Sequence, residues 1–143
     1  MTITDKDTQL ISLLKKSGRT PVAELARRLN VSRTAARARL DKLERSGTIT
    51  GYSVRLSEQY LQGRVQALVM IKSLPLKRKS IEQLLAKMNG LESLYSISGA
   101  FDLVAIISAE TVSNIDQHID QIGQLKGVED TMSSIILSTK VSP

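Results

Sequence analysis

Residues 20–47, TPVAELARRLNVSRTAARARLDKLERSG, have the pattern of two short helices joined by a tight turn. Thr20 with Pro21 is a candidate start for the first helix, and Asn30 tolerates the left-handed conformation that ends one. Ser32 is a good cap for the second helix. Apolar residues recur at helical spacing on both inner faces: Val22, Leu25, Ala26 and Leu29, then Ala36, Leu40 and Leu43. The pattern predicts a helix-turn-helix whose second helix enters the DNA major groove.

Basic residues are concentrated in the same part of the chain. Residues 1–60 contain 12 Lys and Arg against 6 Asp and Glu, whereas residues 61–143 contain 8 of each. The net charge of +6 therefore belongs to the half that holds the helix pair. A polyanion such as DNA favours this distribution, because each neutralised phosphate releases counterions. A basic surface that only keeps the protein in solution is the alternative interpretation.

Further elements are predicted on both sides of the helix pair. Thr4 and Asp7 favour a capped helix before it, with an apolar stripe at Leu10, Ile11 and Leu14. After Gly47, residues 48–55 alternate in polarity and predict a strand that leaves the domain. We therefore expect a winged helix-turn-helix domain at residues 1–50, followed by a linker strand and loop at residues 51–63.

The second half of the chain predicts a different architecture. Ser80 and Ser113 are candidate starts of two amphipathic helices. The apolar faces of these helices are Ile81, Leu84, Leu85 and Met88, then Ile115, Ile119, Ile122 and Leu125. Predicted strands occupy residues 65–71, 91–98, 103–107 and 128–138. The order is βαββαβ, so residues 64–143 are expected to form a ferredoxin-like α+β domain.

The predicted strands are apolar on both of their faces. Residues 68–71 (LVMI), 103–107 (LVAII) and 135–137 (IIL) show no polar alternation. Both helices of a ferredoxin-like domain cover the same face of the sheet, so the other face needs a partner. A second copy of the chain would supply one by stacking sheet on sheet, giving a twofold homodimer with two DNA-reading helices. Burial of a ligand or of another protein is the competing explanation.

Several classes of protein are disfavoured. The chain has no cysteine and a single histidine, His118, so we expect no metal site, no cofactor and no enzymatic activity. No apolar run approaches a membrane span and the N-terminus does not resemble a signal peptide, so a cytoplasmic, nucleoid-associated protein without membrane contact is expected. An RNA-binding module shares the split βαβ order, but its strand aromatics are almost missing here, Tyr95 being the exception.

Short motifs follow one another in a characteristic order along nearly the whole chain. These motifs are Asp7 with Leu10–Ile11, Gly18-Arg19, Glu24-Leu25-Ala26, Ser32 with Arg39-Leu40 and Leu43-Glu44, Gly47 with Ile49, Gly51-Tyr52, Ser98-Gly99-Ala100-Phe101-Asp102-Leu103, and Gly127-Val128 with Thr131 and Ser133. In their order and spacing the chain resembles the Lrp/AsnC family, the leucine-responsive or feast/famine transcription regulators of bacteria and archaea. The resemblance implies a DNA-binding domain, a ferredoxin-like domain for amino-acid regulation, and dimers that assemble into tetramers or octamers.

The second helix of the pair carries the candidate DNA contacts. Arg33, Thr34 and Arg37 are expected against base edges, because arginine is the commonest bidentate partner of guanine and threonine meets the thymine methyl. Ser32 offers its hydroxyl and the positive end of a helix to a phosphate. Arg39 and Lys42 are weaker candidates, and pairing of Arg39 with an acid inside the domain is an equal alternative.

The resemblance places the effector site at the segment Ser98, Gly99, Ala100, Phe101 and Asp102, with Thr131 and Ser133 on the last strand as further polar contributors. Gly99 permits a backbone conformation closed to other residues, and exposed amides nearby can hold a carboxylate. Asp102 is a candidate partner for an α-ammonium group. A plain turn between two strands, with Asp102 as its cap, is the alternative.

The sequence therefore predicts a DNA-binding transcriptional regulator whose assembly or DNA affinity responds to a small effector, most simply an amino acid. An architectural DNA-binding protein that ignores small molecules is the nearest alternative. It would keep the arginines and the oligomer.

Overall fold

A computed structural model describes residues 2–142 of the chain, which divides into two compact units, Met1–Leu56 and Ser57–Pro143. The first unit contains α1 (Asp5–Lys16), α2 (Val22–Leu29) and α3 (Arg33–Arg45). The second contains β1 (Val65–Ser73), a short 3₁₀ turn (Pro75–Lys77), α4 (Arg78–Ala86), β2 (Leu91–Ser96), β3 (Leu103–Ala109), α5 (Val112–Gly123) and β4 (Val128–Ile136). Among residues 2–142, no helix combines the length and apolar character needed to span a bilayer.

The helix boundaries of the first unit follow from local capping. Thr4 and Asp7 form the predicted capping box, in which each side chain accepts the backbone N–H of the other residue. Asn30 ends α2 in the left-handed region, with φ 57° and ψ 48°. The Ser32 hydroxyl then accepts the Ala35 N–H at 3.1 Å and starts α3. These residues confirm the predicted helix-turn-helix.

The three helices share one small apolar core. Its members are fully or almost fully buried, and they are Leu10, Leu25, Ala26, Leu29, Ala36 and Leu43. Lys6 adds a polar tie, because its Nζ donates to the Leu29 carbonyl oxygen at 2.7 Å. A cation at this place also compensates the negative end of α2.

Two predictions for the first unit are wrong. The cap of α2 is Pro21 rather than Thr20, because the Thr20 hydroxyl donates backward to the Ser17 carbonyl oxygen. The predicted strand over residues 48–55, and with it the wing, is not formed in the described part of the chain. Among the described residues, the first unit contains no strand with which that segment could pair, and a ladder needs a partner. Tyr52 lies beside Gly18 and Glu44 instead; burial and the Glu44 carboxylate raise the pKa of its hydroxyl.

The second unit is the predicted ferredoxin-like domain. Its sheet has the order β2-β3-β1-β4, and every neighbouring pair is antiparallel. The two central strands carry a buried residue at every second position: Ala67, Val69 and Ile71 on β1, then Leu103, Ala105 and Ile107 on β3. These side chains form one core with Ile81 and Leu85 of α4 and with Ile115 and Ile122 of α5.

The predicted starts of both helices in this unit lie too late in the sequence. The helical stretch at α4 begins early because Pro75 initiates a 3₁₀ turn that runs directly into Arg78, so Ser80 lies inside the helix. At α5 the Thr111 hydroxyl accepts the Asn114 N–H, so Thr111 rather than Ser113 is the cap. Leu84, expected in the core, is half exposed.

The sheet face opposite this core has an apolar row across its middle. Tyr95 of β2 lies opposite Val104 of β3, which lies opposite Met70 of β1, which in turn lies opposite Met132 of β4. This row crosses all four strands, and its two end residues, Tyr95 and Met132, are each 56% exposed. Next to it, Leu68 pairs with Ile106. The prediction that the strands are apolar on both faces is therefore confirmed for the central strands.

Candidate nucleic-acid interface and effector region

The exposed face of α3 begins at its first turn. Arg33, Thr34 and Arg37 are all exposed, and their spacing of one and three residues places them on the same side of the helix. Together with Val22 and Ala23 from the first turn of α2 they line one shallow open groove. The structure thus brings together the three residues predicted to contact base edges.

The charges on this face are not neutralised within the protein. Among residues 2–142, Arg33, Arg37 and Lys42 form no ion pair. Arg27 on α2 differs, because its guanidinium forms two hydrogen bonds with the Glu24 carboxylate, at 3.0 and 2.6 Å. The same contact lowers the pKa of Glu24. The unpaired positive charge of the helix pair therefore lies on α3.

Two helix N-termini border the groove. Ser32 precedes α3 and is exposed, but its hydroxyl oxygen is occupied by the Ala35 N–H, so its free hydroxyl hydrogen is what remains to donate to a phosphate. At α2, no side-chain hydrogen bond caps the helix in the described structure, because the cap residue is Pro21. First-turn N–H groups that lack a side-chain acceptor favour an anion.

Arg39 does not belong to this face. Its Nη1 donates to Asp7 Oδ1 at 3.0 Å and to Thr4 Oγ1 at 2.9 Å, so the guanidinium points into the helical unit. Of the two roles predicted for Arg39, these contacts favour the internal ion pair over the contact with DNA. Despite its burial, Asp7 has a lowered pKa, because the Thr4 backbone N–H, the Thr4 hydroxyl and Arg39 all stabilise its charged form.

Lys42 and Ala38 are two further exposed residues of α3. Lys42 is exposed near the helix C-terminus, where a cation is favoured by the helix dipole whether or not DNA is present. Ala38, four residues after Thr34, is also exposed. Ala38 was not among the predicted contacts because a small apolar residue is typical of a helix core. Its spacing of four residues from Thr34 nevertheless places it on the outer face.

The loop between β2 and β3 holds the candidate effector residues. Ser98, Gly99 and Ala100 are exposed, and Gly99 has φ +123°, a conformation that other residues rarely adopt. The loop is closed by a hydrogen bond from the Ile97 N–H to the Asp102 carbonyl oxygen, and the Asp102 N–H donates to the Ile71 carbonyl oxygen. The loop is therefore anchored at its base and open at its tip.

Asp102 is engaged inside the domain. Its Oδ2 accepts the Ser73 N–H at 2.8 Å, and its Oδ1 lies 3.0 Å from Arg78 Nη2. Arg78 Nε in turn donates to the Ser73 hydroxyl oxygen. These contacts favour a structural role for the Asp102 carboxylate over the predicted pairing with an α-ammonium group. Its partners lie at the end of β1 and on α4, however, and not in the turn that the alternative interpretation had it cap.

Thr131 and Ser133 lie on β4, the strand on the other side of β1. Thr131 lies opposite Ile71 and Ser133 opposite Val69, so Thr131 is level with the base of the loop and Ser133 is two residues further along the sheet. In the described structure no hydrogen bond joins either side chain to the loop. Phe101 is half-buried at the end of the loop. The predicted effector residues thus lie toward one end of the sheet.

A basic recognition helix in one unit and a ferredoxin-like domain in the other define a two-domain DNA-binding regulator. Residues 3–44 match the model of the AsnC-type helix-turn-helix domain, and residues 66–143 match that of the Lrp/AsnC ligand binding domain. The chain belongs to the Lrp/AsnC family of transcriptional regulators, as the resemblance in its sequence indicated.

Individual relatives agree along almost the whole chain. The HTH-type transcriptional regulator LysM of Saccharolobus solfataricus is 35% identical, and the match spans 96% of this chain and 95% of LysM. AsnC of E. coli shares the fold with a TM-score of 0.87 at 21% identity, over 100% and 97% of the two chains. A transcriptional regulator of Neisseria meningitidis, solved as a complex with L-Met, has a TM-score of 0.88 at 22% identity, over 99% and 94%.

Proposed function

We propose that this regulator reads DNA sequence through Arg33, Thr34 and Arg37, binds as a twofold dimer, and responds to an amino acid. The observation that carries the first part is the exposed face of α3, whose two arginines have no ion pair in the described structure. Unpaired arginines on a recognition helix are suited to bidentate contact with guanine, and the Thr34 methyl is suited to thymine.

The proposed phosphate contacts lie at the two ends of α3. Ser32 lies at the N-terminus of α3 and Lys42 in its last turn, so they bracket the base-reading residues at either end of the helix. Contacts of this kind set the register on the duplex but carry no sequence information.

The two kinds of contact can be separated by salt dependence. Affinity for a preferred duplex and for a scrambled one is measured over a range of KCl concentrations. Lys42→Ala should weaken both complexes equally and lower the magnitude of the slope of log affinity against log salt by about 1.8, because each dimer loses two phosphate contacts. Arg33→Ala should reduce the difference in affinity between the preferred and the scrambled duplex. Equal losses on both duplexes for Arg33→Ala would assign that residue to the phosphate backbone.

The dimer is proposed from the apolar sheet face. Its central row crosses all four strands and consists of Tyr95, Val104, Met70 and Met132. In a twofold dimer the second copy presents the same row to the first. Two chains would then carry two recognition helices, as a pseudo-palindromic site requires.

The ligand-binding domain of the family implies a small-molecule effector, and we assign it to the amino acids. The exposed loop amides and the Ser98 hydroxyl are suited to a carboxylate, with Thr131 and Ser133 at the same end of the sheet. The structural neighbour from Neisseria meningitidis, whose complex contains L-Met, supports this class of ligand.

An effector acts only through its differential affinity for two states of the regulator. Purified protein is therefore tested with each of the twenty proteinogenic amino acids for thermal stability, assembly mass and affinity for its preferred duplex. At least one amino acid should change the mass or the affinity. If both stay constant over the whole panel, the architectural alternative, which ignores small molecules, is the correct one.

A further inference from the structure

The first turn of α1 contacts both helices of the helix-turn-helix. Lys6 Nζ donates to the carbonyl oxygen of Leu29, the last residue of α2, at 2.7 Å. One residue further on, Asp7 accepts Arg39 of α3, and Thr4 accepts the same guanidinium nitrogen. The relative position of α2 and α3 is thus held by a third element that has no place in the proposed DNA contact.

The contact on α3 lies directly behind the proposed base-reading side chain. Arg39 follows Arg37 by two residues, which is about 200° around the helix and about 3 Å along its axis. Arg37 is exposed on the outer side, and Arg39 is held on the inner side at the same level. A tilt or roll of α3 that moved Arg37 would therefore have to disturb the Arg39 contacts.

The ion pair is also well suited to fix a geometry. Asp7 is only 2% exposed, and both of its carboxylate oxygens are used, Oδ2 by the Thr4 N–H and Oδ1 by Arg39. The Arg39 side chain is 30% exposed. Separating a buried pair leaves a buried charge without compensation, which is strongly unfavourable. Any orientation of α3 that moved Arg39 away from Asp7 would therefore be disfavoured.

We propose that Asp7 and Arg39, together with Lys6, are positioning residues that set the orientation of the recognition helix for base reading. The inference rests on the proposed role of Arg37. Base discrimination depends on side chains held within about 0.5 Å and 10–20° of the productive geometry, so loosening the inner side of α3 should degrade specificity before it abolishes binding.

The test compares the full-length protein with Asp7→Asn, Arg39→Met and Lys6→Met. Each is titrated against the preferred duplex, against one with a changed base pair in each half-site, and over a range of KCl concentrations. For Asp7→Asn we expect the discrimination between the two duplexes to fall by about tenfold, a loss comparable to one base contact. The salt slope should not decrease, because the variant removes a negative charge.

Other roles for these residues give different results. If Arg39 were a phosphate ligand, Arg39→Met would lower the magnitude of the salt slope by about 1.8 per dimer with discrimination unchanged, and Asp7→Asn would tighten binding to both duplexes. If the ion pair served stability alone, the variants would lose thermal stability but keep both discrimination and slope at 25 °C. Either result would overturn the inference.

Lys6→Met and one additional variant, Arg39→Lys, keep the test decisive. Lys6→Met loosens the α2 side through a single half-buried lysine, so it carries the test if Asp7→Asn fails to fold by circular dichroism. Arg39→Lys keeps a charge for Asp7 but lacks the planar fork, so discrimination should be restored in part relative to Arg39→Met. A wild-type protein without base discrimination would instead refute the proposed function itself.

Discussion

At the scale of single residues, two neighbouring arginines of one helix have opposite roles. Arg37 is exposed without an ion pair in the described structure, whereas Arg39 is bound to Thr4 and Asp7 inside the unit. The sequence predicted a base contact for Arg37 and left Arg39 between a weaker DNA contact and an internal ion pair, and the fold favours the ion pair. The difference follows from the helical repeat, since residues two apart point to nearly opposite sides.

Arg37→Ala should relax base preference at one position of each half-site by about 1–3 kcal/mol, because a bidentate contact with guanine is lost. The matched control is Arg37→Lys, which keeps the positive charge but not the two-pronged geometry. Both variants are measured by competition among duplexes that differ at single base pairs. A uniform loss over all duplexes for the alanine variant would reassign Arg37 to the phosphate backbone.

Asp7 gives the helical unit a specific response to acid. Its folded-state pKa is lowered below the ordinary value of 3.8, so its ionised form contributes stability that is present above pH 3.8. That contribution is lost as pH falls through the lowered pKa, because the proton then competes with Thr4 and Arg39.

Urea unfolding at several pH values, followed by circular dichroism, measures this contribution. Asp7→Asn should lose about 1.5–3 kcal/mol at neutral pH, the range for a hydrogen bond to a charged group. The difference in the free energy of unfolding between wild type and variant should decrease on acidification below about pH 4. A gap that stayed constant down to pH 2 would contradict the assignment.

At the scale of elements, two glycines near the connection between α5 and β4 should respond differently to substitution by alanine. Gly127 has φ +98°, and a Cβ there would overlap the Lys77 side chain. Gly123 is the last residue of α5, and a Cβ there meets no atom within 4 Å. Gly127 is therefore required by the close approach of the 3₁₀ turn, and Gly123 is not.

Gly127→Ala should destabilise the protein by about 1–3 kcal/mol, because the backbone is strained and the added methyl forces Lys77 away. Gly123→Ala is the matched control and should be neutral or stabilising by up to about 1 kcal/mol. Thermal unfolding of the two variants in parallel compares them. Equal stability would show that the turn repacks without cost.

Most elements of this chain could be predicted because their signals are local. The capping box of Thr4 and Asp7, the left-handed Asn30 and the Ser32 cap are fixed by residues within a few positions of one another. The two late helix starts, Ser80 and Ser113, were wrong because each stretch offers an earlier starting residue, Pro75 or Thr111.

The remaining errors depend on partners that are distant in the chain. The alternation over residues 48–55 is that of a strand, but pairing is a property of two segments and no second one is present in the described structure. In the sequence Asp102 is a candidate ligand-binding residue, whereas in the structure its carboxylate contacts Ser73 and Arg78. The spacing in the sequence gives no sign of these contacts.

At the scale of the whole molecule, the proposed dimer depends on the apolar row of the sheet. Met132→Glu should raise the dimer dissociation constant roughly 100-fold or more, because the twofold axis buries two unpaired carboxylates, each at a cost of several kcal/mol. Val112→Glu is the control, since Val112 is exposed on α5 rather than in the row. Sedimentation velocity should find a lighter species for Met132→Glu only. Unchanged mass in both variants would place the interface elsewhere.

The central claim is that α3 reads base sequence in two symmetric copies. Its most direct test is selection of bound duplexes from a random DNA pool by the purified protein at physiological salt. We predict enrichment of a pseudo-palindrome whose half-sites are centred one helical turn, about 34–36 Å, or a multiple of it apart. The Arg33→Lys, Arg37→Lys double variant should enrich the same pool weakly or not at all. Tight binding by the wild-type protein without enrichment of any sequence would contradict the claim.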